Sequence, residues 1–412
     1  MKNYILILLA YSLAAVGMAY IPILAKKLKV SFALLLLPIG FFIFFLGVPI
    51  DWPEPIWQHK WVKIITEIIV VISLMGAGLK IGFRYGREHW KNPLRLIYLT
   101  MPVYILGIFV LAFYFLGFNG PEALLMAAVC APTDPVLATD LQLEGDGENG
   151  EKNTGLRYLL TAEAGLNDGM AFPFVFFAIL WSKTEAFDQI NLTEWFSFYL
   201  IYKIVVGIII GSFLGYLYSW SLKKLNRAKD KALSGFIAIA LALVAFALAE
   251  SVLAYGFLSA FFAGLFAQYH NHRKGEEHSK TEMLLYTEET EKFLVTLFIL
   301  LFGGFLATGI LTYISLEAII AVLLIVLVLR PLSGILAMIP TKFETKKKWS
   351  VSFFGIKGIG SIFYLSFALY EGNFESQNEL YAIVSLVILA SIIVHGITGP
   401  RVILYFQKNN PG

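Results

Sequence analysis

Seven charged residues stand in apolar stretches: Asp134, Glu163, Asp168, Lys203, Glu250, Arg330 and Lys357. In hydrocarbon such groups face a cavity or one another and mark a working site. Asp134 lies in the run Cys130-Ala-Pro-Thr-Asp-Pro135. Pro132 and Pro135 lack an N–H, so the carbonyls of Ala128 and Ala131 are expected to lose their helical partners. Free carbonyls at membrane depth are tolerated only where they line a cavity or meet protein. A carboxylate beside them describes an oxygen site for a hard cation. The plainer reading is a proline kink with a hydrogen-bonded Asp, but a kink needs one proline and no acid.

The run Glu163-Ala-Gly-Leu-Asn167-Asp168-Gly169 carries the next two acids. Glu163 and Asn167 share a helix face at a spacing of four, and Asp168 sits about 100° further round. One arrangement has Glu163 and Asn167 bonded to each other while Asp168 faces the cavity. The competing reading is a polar patch gluing helices together. Lys357 lies in Phe354-Gly-Ile-Lys-Gly-Ile-Gly360-Ser361, where three glycines weaken a helix. Lys357 and Arg330 read as neutralising carbonyl ends of broken helices; the competing readings are a Lys357 that snorkels to the interface and an Arg330 that only ends the apolar run before Pro331. Lys203 and Glu250 read as residues near span ends.

The elements that must hold these residues follow from composition. The chain has 412 residues, 58% hydrophobic and only 15% charged. That excludes a water-soluble globule and disorder. A lone cysteine, Cys130, excludes an internal disulfide. A net charge of +3 gives no footing for a nucleic-acid partner. A spanning helix needs roughly 20 apolar residues. Thirteen such runs are read at 4–25, 31–49, 64–82, 97–118, 122–141, 156–182, 198–221, 232–254, 256–270, 293–314, 316–339, 349–370 and 379–404. The expectation is an all-α integral membrane protein, one domain over 1–412, with no soluble regulatory domain. The first run lacks a small-residue cleavage site and reads as a span. Of 32 Lys and Arg, 25 fall on one side, four on the other and three within spans. The positive-inside rule then predicts an outside N-terminus and a cytoplasmic C-terminus; the membrane itself is taken as a bacterial or archaeal plasma membrane, which the charge count does not decide. The breaks in spans 5 and 12 lie seven helices apart. An odd offset inverts topology, the sign of an inverted-repeat transporter with two crossed broken helices.

At these residues the chain resembles the monovalent cation:proton antiporters, in the branch of the NhaP proteins and the sodium/proton exchangers. Thr133-Asp134-Pro135 is similar to that family's unwound fifth helix. Asn167-Asp168 is similar to the paired Asn-Asp of its sixth, with Glu163 at its upstream Glu. Gly256-Phe-Leu-Ser-Ala-Phe-Phe-Ala-Gly264, Arg330, Lys357 and His395-Gly-Ile-Thr398 resemble later elements of the pattern. The resemblance implies a homodimer whose scaffold carries a mobile six-helix core, including 122–182 and 349–404, that moves the ion as an elevator. It implies that Asp168 takes cation or proton, helped by Asp134 and Thr133, with Asn167, Glu163, Arg330 and Lys357 in support. Three positions depart from the pattern. Lys357 stands for a common Arg, Ala164 for a small hydroxyl, and Gly76-Ala-Gly78-Leu79 for a run with an acid. These departures leave the cation open between Na+, the first expectation, and K+ or Li+.

A carboxylate that holds a proton or a cation, never both, couples the two fluxes, and an empty one costs several kcal/mol to carry across. With Asn167 beside Asp168 in place of a second acid, the expectation is electroneutral one-for-one exchange. Two alternatives stand: a cation- or pH-sensing membrane protein that does not transport, and an intramembrane aspartyl protease, for which no Gly-x-Gly-Asp run is present. No Gly-x4-Gly-Lys-[Ser/Thr] loop is present for a nucleotide, and no cofactor is expected. The stretches Gly145–Gly150 and His270–His278 read as solvated loops.

Overall fold

The computed structural model describes residues 2–47, 58–81, 87–135, 137, 154–225, 234–267 and 277–409. The stretch 145–150 and residues 270–276 of the stretch 270–278 lie outside them; Glu277 and His278, expected in a loop, open a helix instead. Among the described residues there is helix and no strand. The helices are α1 (Lys2–Leu28), α2 (Phe32–Phe45), α3 (His59–Ile81), α4 (Trp90–Tyr114), α5 (Gly120–Val129), α6 (Gly155–Ser182) and α7 (Leu192–Ser221). They continue with α8 (Ser234–Ser251), α9 (Gly256–Ala267), α10 (Glu277–Ala307), α11 (Leu316–Met338), α12 (Thr345–Phe353), α13 (Ile359–Glu371) and α14 (Gln377–Asn409). Seven of them, α3, α4, α6, α7, α10, α11 and α14, are long and apolar enough to cross a membrane, and shorter apolar helices lie between.

Local chemistry sets the ends. Ser31, Asn119 and Ser315 cap α2, α5 and α11 by accepting the N–H groups of Leu34, Glu122 and Ala318. Pro121 follows at the start of α5, where its missing N–H does no harm. Glu122, buried one turn in, accepts the N–H groups of Glu375 and Ser376 at 3.0 and 2.7 Å, tying the start of α5 to the segment before α14.

Two helices share a device that the sequence reading missed. α4 has a π-helical turn at Leu96–Thr100 just before Pro102, and α11 has one at Ile325–Leu329 just before Pro331. A proline inside a helix withholds an N–H, and a wider turn absorbs the mismatch. Helices four and eleven are again seven apart; α7 also has a π-helical stretch, Trp195–Tyr202, without a following proline. The turn in α11 ends at Arg330, whose N–H reaches back to the Ile325 carbonyl.

Small residues bring the helices close. Gly207, Gly211 and Gly215 form a stripe on α7, and a Cβ on any of them would lie within 2.7 Å of a backbone carbonyl of Tyr255, Ser259 or Ala263. In lipid, where apolar burial does not drive helix pairing, such contact supplies the attraction.

Candidate functional site

The two breaks meet. α5 ends at Val129, and Cys130, fully buried, is its C-cap. The backbone then leaves the helix through Pro135. α12 ends at Phe353, and extended backbone leads to α13 at Ile359. The two non-helical segments of the crossing exchange reciprocal bonds. The Asp134 N–H donates to the Ile356 carbonyl at 2.7 Å, and the Ile359 N–H donates to Asp134 Oδ2 at 2.5 Å. Asp134 Oδ1 also accepts the Leu137 N–H at 3.0 Å. Asp134 thus caps the positive N-terminal end of α13.

Lys357 answers the opposite end. Its Nζ donates to the carbonyls of Ala131 and Pro132, both at 2.9 Å, and lies 4.8 Å from the centre of the Tyr104 ring. Its own N–H donates to Ser391 Oγ at 2.8 Å. The carbonyls of Ala128 and Ala131, deprived of their helical partners by the two prolines, find others: the Ala131 N–H meets Ala128 in a tighter turn at 3.3 Å, and the Lys357 ammonium meets Ala131, as expected of a lysine at a broken helix end. The glycines here serve close approach. A Cβ on Gly358 would sit 2.3 Å from Asp134 Oδ2, and one on Gly355 would sit 2.3 Å from Arg330 Nε.

α6 brings up the remaining acids. The pairing of Glu163 with Asn167 does not form. Glu163 instead binds Arg330, whose guanidinium approaches both carboxylate oxygens at 2.8 and 3.0 Å and also donates to the Phe354 carbonyl at 2.8 Å. Asn167 turns to Thr133, donating to its Oγ1 at 2.8 Å and accepting its N–H at 3.2 Å. That clamp fixes α6 to the break after α5. A guanidinium over 160 residues away in sequence is the stronger partner for a buried carboxylate.

Asp168 is 1% exposed, and neither of its carboxylate oxygens has a hydrogen-bond partner. Its main-chain carbonyl accepts the Tyr364 hydroxyl. Gly360, on the first turn of α13, leaves room beside Oδ1, where a Cβ would stand at 3.4 Å. Ser361, next in the chain, is buried with its hydroxyl unpaired. The arrangement is a buried carboxylate with no hydrogen-bond partner on either oxygen. A proton or a small cation satisfies it; nothing in it resembles a nucleophile with a base.

The structure therefore gathers Thr133, Asp134, Glu163, Asn167, Asp168, Arg330 and Lys357 around one crossing. Lys203 and Glu250 lie apart from it. Lys203 is buried at the side of four aromatic rings, Phe176, Phe198, Tyr199 and Tyr255, at 5.0–5.7 Å. Glu250 accepts the Gly256 N–H at 2.9 Å, capping α9. Tyr104 and Ser391 were not singled out from sequence. Each is an ordinary apolar-run residue there, and only the fold brings it to Lys357.

Comparison with known proteins places this arrangement in context. The family profile described as "Sodium/hydrogen exchanger, transmembrane" matches residues 12–404. A Na(+)/H(+) antiporter of Schizosaccharomyces pombe is 27% identical over 365 residues, covering 81% of this chain and 75% of that protein. The Na(+)/H(+) antiporter NhaG of Bacillus atrophaeus is 24% identical over 402 residues, covering 92% of this chain and 71% of that protein. Among solved structures, the sodium proton antiporter MjNhaP1 of Methanocaldococcus jannaschii superposes over 99% of both chains with a TM-score of 0.75, at 16% identity. A second structure of it, at pH 8, gives 0.69 over 96% of this chain.

Proposed function

Because the chain belongs to the sodium/hydrogen exchanger family, we propose that it exchanges Na+ for H+ across the membrane at Asp168, one for one. It is a multi-pass secondary transporter, not an enzyme, with the antiporter fold. The observation that carries the proposal is the buried, unpartnered Asp168 carboxylate beside two crossed helix breaks. Every other charge at the crossing has a partner: Asp134 has backbone N–H groups, Lys357 has carbonyls, and Glu163 and Arg330 have each other. Asp168 alone is left to bind what moves.

The coupling is competition. Cation and proton neutralise the same carboxylate, so each expels the other. A neutral site crosses, while a bare carboxylate in a low-dielectric path costs several kcal/mol. Asp134 and the Thr133 segment complete the oxygen set around the cation, and Asn167 holds Thr133 in place. The Glu163–Arg330 pair braces α6 against α11, and Lys357 cancels the carbonyl ends at the break. One titrating charge per cycle gives electroneutral exchange. The working assembly is a homodimer in the plasma membrane, N-terminus outside and C-terminus in the cytoplasm, with α5, α6, α13 and α14 in the core that moves as an elevator.

The test uses proteoliposomes with a trapped pH dye and an imposed proton gradient. Na+, K+, Li+ and choline are added in turn, with Asp168→Asn beside wild type. Dissipation by Na+, none by choline and a silent variant support the reading. Dissipation by K+ alone renames the cation. Flux in the variant removes Asp168 from the mechanism, and a current that reverses with voltage removes electroneutrality. Cation binding without flux in wild type favours the sensing alternative.

A further inference from the structure

Glu291, on α10, shares the property that sets Asp168 apart. It is 3% exposed, and neither carboxylate oxygen has a hydrogen-bond partner. Buried acids with a structural task are treated otherwise in this molecule: Glu122 takes two backbone N–H groups and a hydroxyl, and Glu163 takes Arg330. Room for the Glu291 carboxylate comes from α3. A Cβ on Gly76 would stand 3.1 Å from Oε2 and 3.4 Å from the Thr287 methyl. One helical turn along the same pair of helices, Lys80 and Glu288 form an ion pair at 3.3 Å. Lys80, Glu288, Asp134 and Lys292 all act electrostatically on Glu291. Gly76 lies one turn from Lys80, so Glu291 sits near the Lys80 end of α3.

We infer that Glu291 is a second cation-binding carboxylate, which a monovalent cation occupies on its way between the Lys80 end of α3 and Asp168. The inference rests on the exchange reading above. A buried carboxylate without donors is unstable until a counter-charge arrives, and a buried oxygen anion attracts a small cation strongly. Gly76 supplies the volume. The station is distinct from the crossing, because it is built by α3 and α10 and uses no residue of the breaks.

The experiment measures initial exchange rates against Na+ concentration on each face of oriented proteoliposomes, for wild type, Asp168→Asn, Glu291→Gln and Glu291→Asp. Glu291→Gln raises the Na+ KM about tenfold on one face only, with the maximal rate within about twofold. Glu291→Asp recovers part of the affinity, which a loss of packing alone would not produce. An unchanged KM on both faces, or an equal rise on both, overturns the inference while leaving exchange at Asp168 intact. A silent wild type overturns the exchange reading, and this inference with it. If Glu291→Gln is not monodisperse, Gly76→Ala carries the same test, since it crowds the carboxylate without removing it.

Discussion

Glu163 and Asp168 are both buried carboxylates of α6, yet Glu163 is held by Arg330 at 2.8 Å while Asp168 has no hydrogen-bond partner on either oxygen. The two lie little more than a turn apart on one rigid element. The difference is therefore in what the neighbouring helices bring, not in the helix itself. The π-helical turn before Pro331 delivers Arg330 to the first acid, whereas α13 meets the second with glycine at position 360. One acid spends its charge on holding the fold. The other is left with its charge uncommitted, which is the condition for exchanging it.

Substitutions separate the two. Asp168→Asn has the largest effect on flux: exchange is lost in the pH-dye assay, and the melting temperature in detergent is no lower than wild type, because no partner is stranded. Equal loss of stability would put Asp168 among the structural acids. Glu163→Gln strands a buried guanidinium and lowers stability by about 3–5 kcal/mol. In a double-mutant cycle with Arg330→Gln the losses are less than additive, as for any pair in direct contact; additive losses would break the pairing argument. Lys357→Met leaves two buried carbonyls without a donor and costs roughly 2–3 kcal/mol, read as a lower melting temperature with Na+ absent. Asn167→Ala removes the clamp on Thr133 and costs about 1–2 kcal/mol, accompanied by a higher Na+ KM. A variant that loses stability without any change in KM would make the clamp purely structural.

Much of this was legible in the sequence, for physical reasons that differ by residue. Pro132 and Pro135 announce a broken helix because proline cannot donate, and an acid between them in an apolar run announces its use. Asn167-Asp168 is visible for the same reason of cost. The partners were less legible. The spacing of Glu163 and Asn167 proposed a bond along the helix, but both reach across to other elements, and no periodicity within α6 encodes Arg330 or Thr133. The π-helical turns escaped because their signal, a proline late in an apolar run, is shared with ordinary kinks. Glu291 escaped for a different reason: it lies in the Glu-rich stretch Thr287-Glu-Glu-Thr-Glu-Lys292, which reads as a solvated helix start, and its burial depends on Gly76 of another helix.

Cys130 closes the last helical turn before the crossing and is fully buried, and the sequence holds no other cysteine. In this conformation the native protein is therefore silent toward water-soluble thiol reagents. A cysteine introduced at a position that meets water becomes the one sulfhydryl open to a maleimide. Spin labels or fluorophores can be attached there singly, with the wild-type residue at position 130 left in place.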